Sequence, residues 1–154
     1  MLSPVRKVSL LALECIALDV QASSAEEVFD EIGRLAAARH GLKPHKVAER
    51  LMRRESRRST GLGYGLALPH ADTYSLSRPV AVFLRMRNAV EFAAPDGSPV
   101  SDVLALLVPR PATACHHDLL ASYTRLLSRS DFRSLLQQCN SASAIWRLFD
   151  EHAR

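Results

Sequence analysis

At 154 residues the chain suits one globular domain, and a composition that is 47% hydrophobic and 23% charged excludes disordered and collagen-like classes. Twenty Lys and Arg against 16 Asp and Glu leave a formal charge of +4; without a long basic tract, and with 6% aromatics, that excess argues against nucleic acid as a partner. Three cysteines, Cys15, Cys115 and Cys139, odd in number and far apart, argue against a disulfide framework and for a reducing cytoplasm.

Arg6-Lys7 ahead of Val8 to Leu13 imitates a secretory leader, but Glu14 cuts the apolar run below the roughly 7–15 residues a leader needs. No segment approaches the roughly 20 apolar residues of a membrane span, so the expectation is a soluble cytoplasmic protein. Ile16 to Val20 then reads as a short strand. Ser24 with Glu27 three residues on forms a capping box for a helix whose inner face is Val28, Ile32, Leu35 and Ala36, closed by Gly41. Pro44 opens a second helix, with Val47, Leu51 and Met52 as its inner stripe.

Thr60-Gly61-Leu62-Gly63-Tyr64-Gly65 holds three of the six glycines and leads into Leu66-Ala67-Leu68-Pro69-His70. Gly65 to Leu68 reads as a buried strand that Pro69 ends, so that His70 projects from its C-terminal end, where open α/β sheets bind ligands. Val80 to Met86 is a further strand. Val90 to Phe92 and the turn at Pro95-Asp96-Gly97 suggest a hairpin-like excursion, and Val103 to Val108 reads as a central strand covered on both faces. A helix from about Thr113 to Arg129, a shorter one capped by Asp131 and reaching about Gln138, and a last one begun by Ser141 complete the chain. The order β-α-α-β-β-β-α-α-α predicts an α/β fold, a single domain over residues 1–154 with one mixed β-sheet flanked by α-helices.

Of the six histidines, His40, His45, His70, His116, His117 and His152, only His70 stands in a distinctive context. It is either a turn histidine bonded to a loop carbonyl or a nucleophilic imidazole, whose ordinary pKa of ~6.5 leaves it mostly neutral at pH 7. Backbone N–H groups of the Thr60–Gly65 segment offer an anion an approach free of Cβ atoms. The segment lacks the P-loop lysine and does not run from a strand into a helix, so it is no nucleotide fingerprint. Cys115-His116-His117 is metal-like in composition, but adjacent helical residues point about 100° apart, and no second paired motif accompanies it. One of these histidines is expected to face the sheet edge and the other solvent. Arg50, Arg53, Arg54 and Arg57 share one helix side, either as a solvated face offset by Glu49 and Glu55 or with one arginine reaching an anion beside the glycine turn.

Arg54-Glu55 followed by Ser59-Thr60-Gly61-Leu62-Gly63-Tyr64-Gly65-Leu66-Ala67-Leu68-Pro69-His70 resembles the signature of enzyme IIA domains of the bacterial phosphotransferase system, of the fructose/mannitol and nitrogen-regulatory type. Phe92 to Val100, Val103 to Pro109 and Ala112 to His116 resemble later parts of the same pattern, so the similarity spans nearly the whole chain. It implies the phosphotransferase/anion transport protein-like fold. It also implies a phosphotransferase component without cofactor or metal, in which His70 takes a phosphoryl group from a histidine phosphocarrier protein. By the same resemblance His116 is the second active-site histidine, Arg54 the active-site arginine, and Thr60 and Gly61 contribute N–H groups to the phosphate. The chain departs from the pattern at Asp72, where a Lys or Arg is common, and at His117, usually an apolar position. The segment Phe92 to Val100 resembles the nitrogen-regulatory branch, whose phosphorylation state is read by regulated kinases or transporters. The alternative is a regulatory binding module on the same fold with weak or no phosphorylation.

Overall fold

The computed structural model describes residues 10–152. Arg6-Lys7 and the opening of the apolar run lie outside the described residues, whereas Leu11 to Leu13 begin strand β1 (Leu11–Val20). The strand starts five residues before the predicted Ile16. Its pairing with the sheet slips between Leu11 and Ile16, so the pattern there lacks a clean period.

Helix α1 (Ala25–His40) opens at Ser24, whose hydroxyl accepts the Glu27 N–H at 3.2 Å. The reciprocal arm of the expected capping box goes one residue further back, the Glu27 carboxylate taking the Ser23 N–H at 2.7 Å. Gly41, at φ 68°, closes the helix in the left-handed conformation that makes its N–H available to the Ala37 carbonyl. Helix α2 (Pro44–Glu55) begins at the proline as predicted. Val47 and Leu51 are buried, but Met52 is 36% exposed because it lies one position round the helix from Leu51.

The two helices cross where Gly33 meets the start of α2, and a Cβ on Gly33 would collide with the backbone carbonyl oxygen of Pro44. A backbone atom cannot rotate away. The Gly33→Ala variant is therefore expected to lose about 1–3 kcal/mol of stability despite the better helix propensity of alanine, as read by urea denaturation.

The glycine region holds more strand than predicted. In place of one strand over Gly65 to Leu68, the chain forms β2 (Gly61–Gly63), β3 (Leu66–Ala67) and β4 (His70–Thr73). β2 and β3 are a tight antiparallel hairpin whose turn, Gly63-Tyr64-Gly65, has φ of 89°, 58° and 76° in succession. Two of those residues are glycines because L side chains rarely adopt such angles. The Asp96 carboxylate fixes the third by accepting the Tyr64 N–H at 2.9 Å.

β5 (Val80–Val90) and β6 (Val100–Pro109) are antiparallel, and the expected excursion joins them through residues 91–99. Val103 to Val108 are all buried, as a strand covered on both faces requires. Helix α3 (Ala114–Ser128) follows Thr113, α4 (Ser130–Gln138) follows Arg129, and α5 (Ala142–His152) is capped by the Ser141 hydroxyl on the Ala144 N–H. Asp131 is not the residue outside α4 but part of its first turn, where it accepts the Phe132 N–H.

The six strands form one mixed sheet in the order β1-β5-β6-β3-β2, with β4 also paired to β6. Residues of alternate parity on β5 and β6 feed two cores. Val82, Leu84, Val103 and Ala105 pack with Phe29 and Ile32 of α1 and Leu51 of α2. Ala81, Phe83 and Leu104 pack with Leu127 of α3, Phe132 of α4, and Ile145 and Phe149 of α5. The result is the α/β architecture expected, with helices on both faces. A cross-strand ion pair, Arg85 to the 5%-exposed Asp102 at 2.8 and 3.1 Å, also reaches the Leu136 carbonyl and so ties α4 to the sheet.

β3 and β4 both run parallel to β6 and are one interrupted line along it, broken at Leu68-Pro69. Proline has no N–H to give a ladder, yet the Pro69 carbonyl still accepts the Leu106 N–H at 2.9 Å. His70 is thus the first residue of β4, opposite Leu106, rather than a residue projecting past the end of a strand over Gly65 to Leu68. This break sets the site.

Candidate functional site

A cavity of about 390 Å³ opens between α2, β4, the end of β6 and the start of α3. Arg50, Arg53, Arg54 and Arg57 line one side; the first three share the face of α2 expected from their spacing, whereas Arg57 lies past the C-cap Ser56 and outside the helix. His70 and Asp72 stand on β4, where residues two apart share a side. Both His116 and His117 line the cavity, His116 half-buried and His117 exposed to solvent at its rim, so the expected division between them holds in part. α3 meets the cavity with its first turn, and side chains on two adjacent positions reach an opening that lies across the helix end.

The half-buried His70 ring is fixed at both nitrogens. Nδ1 lies 3.0 Å from the Leu68 carbonyl oxygen, and Nε2 lies 3.2 Å from Nε of Arg54. A carbonyl only accepts and a guanidinium only donates, so the proton sits on Nδ1 and Nε2 carries the free electron pair. The two readings of this histidine from sequence, turn partner and nucleophile, are therefore compatible in one ring. Burial disfavours the imidazolium and the Arg54 charge adds to that, outweighing the Leu68 carbonyl and Glu55; the pKa falls below the ordinary 6.5.

Arg54 is itself held, its other arm donating to the Arg58 carbonyl at 3.0 Å. The neighbouring Glu55 points elsewhere and grips the glycine segment, accepting the Thr60 N–H at 2.9 Å and the Thr60 hydroxyl at 2.6 Å. The Gly61 N–H goes to the Ser59 hydroxyl at 3.1 Å. Thr60 and Gly61 are accordingly not brought to the cavity. Their N–H groups, expected to face an anion, are already satisfied within the loop and hold it in shape.

His116 has a second duty that the sequence did not reveal. Its Nδ1 accepts the N–H of Thr113 at 3.0 Å, the return arm of a cap at the start of α3. A neutral ring bonded this way carries its proton on Nε2, which makes that nitrogen a donor. Asp72, the residue that departs from the resemblance, is paired with Arg50, which contacts both its carboxylate and its backbone carbonyl. Burial opposes ionisation of Asp72, but the Arg50 hydrogen bond and the Arg50 and Arg110 charges outweigh it and hold the carboxyl below its usual range. Nothing in the spacing of Arg50 and Asp72, 22 residues apart, signals this contact. Among the described residues no three His, Cys, Asp or Glu side chains converge as metal ligands, and Cys115 is exposed.

The chemistry available is that of an anion site with one nucleophile. Four guanidiniums and two further imidazoles line the cavity into which the bare Nε2 of His70 opens, and the one carboxylate in its lining, Asp72, is already paired. Such an array suits charge spread over the oxygens of a transferring phosphoryl group.

Comparison with known proteins places the chain in a family. Residues 9–152 match the family model described as phosphoenolpyruvate-dependent sugar phosphotransferase system, EIIA 2. A nitrogen regulatory protein of Bradyrhizobium diazoefficiens is 34% identical over 137 residues, covering 89% of this chain and 90% of the relative. The crystal structure of nitrogen regulatory protein IIA-Ntr from Neisseria meningitidis superposes with a TM-score of 0.84 at 36% identity, over 91% of this chain and 96% of that one. The IIA mannitol structure from Escherichia coli shares the fold, with a TM-score of 0.73 at 20% identity over 90% and 97% of the two chains.

Proposed function

The chain belongs to the EIIA 2 family of the phosphoenolpyruvate-dependent sugar phosphotransferase system, with nitrogen regulatory proteins among its relatives, and from that premise we propose that it accepts a phosphoryl group on Nε2 of His70. The donor is the phosphohistidine of a histidine phosphocarrier protein, and the setting is the cytoplasm. No helix among the described residues is long and apolar enough to cross a membrane. The observation that carries the proposal is the locked tautomer: the Leu68 carbonyl holds the Nδ1 proton and leaves the Nε2 electron pair in a cationic cavity.

The step balances without water or metal. The Nε2 electron pair of His70 forms a bond to phosphorus as the bond from phosphorus to the donor imidazole breaks, and that pair returns to the donor nitrogen. Arg54 gives up its contact with Nε2 and takes an equatorial oxygen, while the Nε2–H of His116 supplies a second donor. Incubation with phosphoenolpyruvate, the first enzyme of the relay and the carrier should raise the mass by one phosphoryl group in acid-labile form. A chain that stays unmodified while the carrier is fully phosphorylated overturns the proposal.

The His116→Ala variant should transfer about tenfold more slowly in rapid-quench measurements. This is less than the ~10²–10³ of an enclosed donor, because its ring is half exposed. A regulatory role follows the relatives' names, nitrogen regulatory protein, and our reading is that kinases or transporters respond to the phosphorylation state.

A second reading, a binding module scarcely phosphorylated, rests on the Asp72 carboxylate beside the site. Its pairing with Arg50 works against that reading, because a neutralised carboxylate repels phosphate weakly. Asp72→Asn should raise the transfer rate by no more than about fivefold, the equivalent of ~1 kcal/mol for a partly exposed pair. A rise of a hundredfold would favour the second reading.

A further inference from the structure

The first turn of α3 presents two histidines to the cavity, and only one of them is committed. His116 spends Nδ1 on the Thr113 N–H, so a proton on that nitrogen would cost the helix its cap. The backbone of His117 is fixed by its N–H, which donates to the Thr113 carbonyl at 3.2 Å. Its ring, exposed at the rim of the same cavity, makes no hydrogen bond among the described residues. Both ring nitrogens are therefore open to a ligand or a proton. The ring is also near enough for its charge to be felt at His70, where it adds to burial and to Arg54 in disfavouring the imidazolium.

The groups that face His117 are mainly cationic. Arg50, Arg53 and Arg54 face it from α2, Arg57 from beyond that helix, and His70 from β4. Asp72 is the one carboxylate in the lining, and Arg50 holds it. Glu49 and Glu55 lie outside the lining, on Arg53 and on Thr60. The end of β6 contributes apolar Leu106 and Val108, and Arg110 beyond them acts on Asp72. On α3 itself Asp118 is exposed and, as the next residue, points about 100° away. A proton on His117 thus finds no free anion in the cavity until a phosphoryl group, carrying about −1.5 to −2 charge at pH 7, stands on Nε2 of His70.

We propose that His117 is a third phosphoryl ligand of this site, beside Arg54 and His116, taking up a proton as the group arrives and so making the transfer equilibrium depend on pH. The inference rests on the assignment of His70 as acceptor. The step stays balanced: phosphorus leaves the donor imidazole for Nε2 of His70, and one proton passes from solvent to His117, whose N–H then donates to a phosphoryl oxygen. An arginine at this place would be charged at every pH, whereas an imidazole changes charge between about pH 5 and 8. The phosphorylated chain then binds more protons than the unphosphorylated chain, so a fall in pH favours it. Burial lowers the His70 pKa, so above pH 6.5 the acceptor is mostly neutral and its own protonation does not oppose this trend.

The test is the equilibrium constant for transfer from phosphorylated carrier, read by native gel electrophoresis for the parent chain, His117→Gln and His117→Lys. Dividing the parent value by that of His117→Gln cancels the titration of the carrier and of the phosphoryl group. That ratio should grow about threefold or more from about pH 8 to about pH 6.5, as linked proton uptake requires. His117→Lys, charged throughout the range, should exceed His117→Gln by a factor that does not change with pH. In proton NMR at pH 7, the ring resonance that His117→Gln lacks should move toward its imidazolium position on phosphorylation. A merely structural role would alter the constants by the same factor at every pH. A parent ratio that stays level, a ring resonance that does not move, or a lysine variant that behaves as the glutamine variant does overturns the proposal while phosphorylation of His70 stands. A chain that takes no phosphate overturns the His70 assignment and this inference together.

Discussion

Incubated with the complete relay, the His70→Ala variant is expected to show no gain in mass, whereas the parent chain gains one phosphoryl group. Neither of the other imidazoles in the cavity has a nitrogen bared and fixed as that of His70 is. His116 has Nδ1 committed to the Thr113 N–H and its remaining nitrogen protonated, and His117 is exposed with no hydrogen bond to fix a tautomer. Labelling that persists in the variant would remove His70 from the role. His70→Gln provides the companion measurement, since its amide can still donate to the Leu68 carbonyl and preserve the break at Pro69.

The direction of the His70 pKa adds a pH signature. Burial and the Arg54 charge lower it, so the neutral, nucleophilic form persists further into acid than a free imidazole's, and the acid limb of the rate profile should lie below 6.5. Folding is linked in the same sense. Between the lowered folded value and the unfolded ~6.5, the unfolded chain binds more protons, so stability rises with pH. The contribution of this ring is present above pH 6.5 and lost as pH falls through its folded value. The thermal midpoint of the parent should thus drop more steeply between pH 7 and 5 than that of His70→Gln, which has no such proton to bind.

Local chemistry made much of this molecule legible in advance. Gly41 and Pro44 mark a helix end and a helix start because each residue solves a backbone problem that its neighbours cannot, and both boundaries lie where the sequence puts them. The stretch Val103 to Val108 is apolar without interruption because both faces of β6 are covered. β2 and β4 were not legible, since strands of three and four residues are too short to display a period. His70 was singled out by its own context and Arg54 through a resemblance, and their contact spans 16 residues that no periodicity bridges. The amides of Thr60 and Gly61 show the converse failure. A glycine-rich loop reads as open to an anion, but Glu55 and Ser59 lie near enough in the chain to claim those donors first. Arg50 and Asp72 meet only because the break at Pro69 restarts the strand beside α2. That contact is a product of tertiary structure alone.

Arg54→Ala should slow phosphoryl transfer by about 10²–10³, the effect typical of removing one donor from a preorganised anion site. The guanidinium is the one cation in direct contact with the reacting nitrogen, and the Arg58 carbonyl fixes its plane before phosphate arrives. Alanine removes both the charge and that preorganisation. Lysine restores the charge only, because a single ammonium cannot bond the Arg58 carbonyl and a phosphoryl oxygen in one fork, so Arg54→Lys should recover less than a tenth of the loss. Misfolding would also reduce transfer, and the pH profile separates the two causes. Arg54 is one of the charges that depress the His70 pKa, so its removal should shift the acid limb of the rate profile upward toward 6.5, and lysine should shift it back. A slower Arg54→Ala variant whose acid limb coincides with the parent's would mean that the arginine acts on the fold and not on the nitrogen. Transfer at the parent rate would take Arg54 out of the site altogether, leaving Arg50, Arg53 and Arg57 as the cations that meet the phosphate.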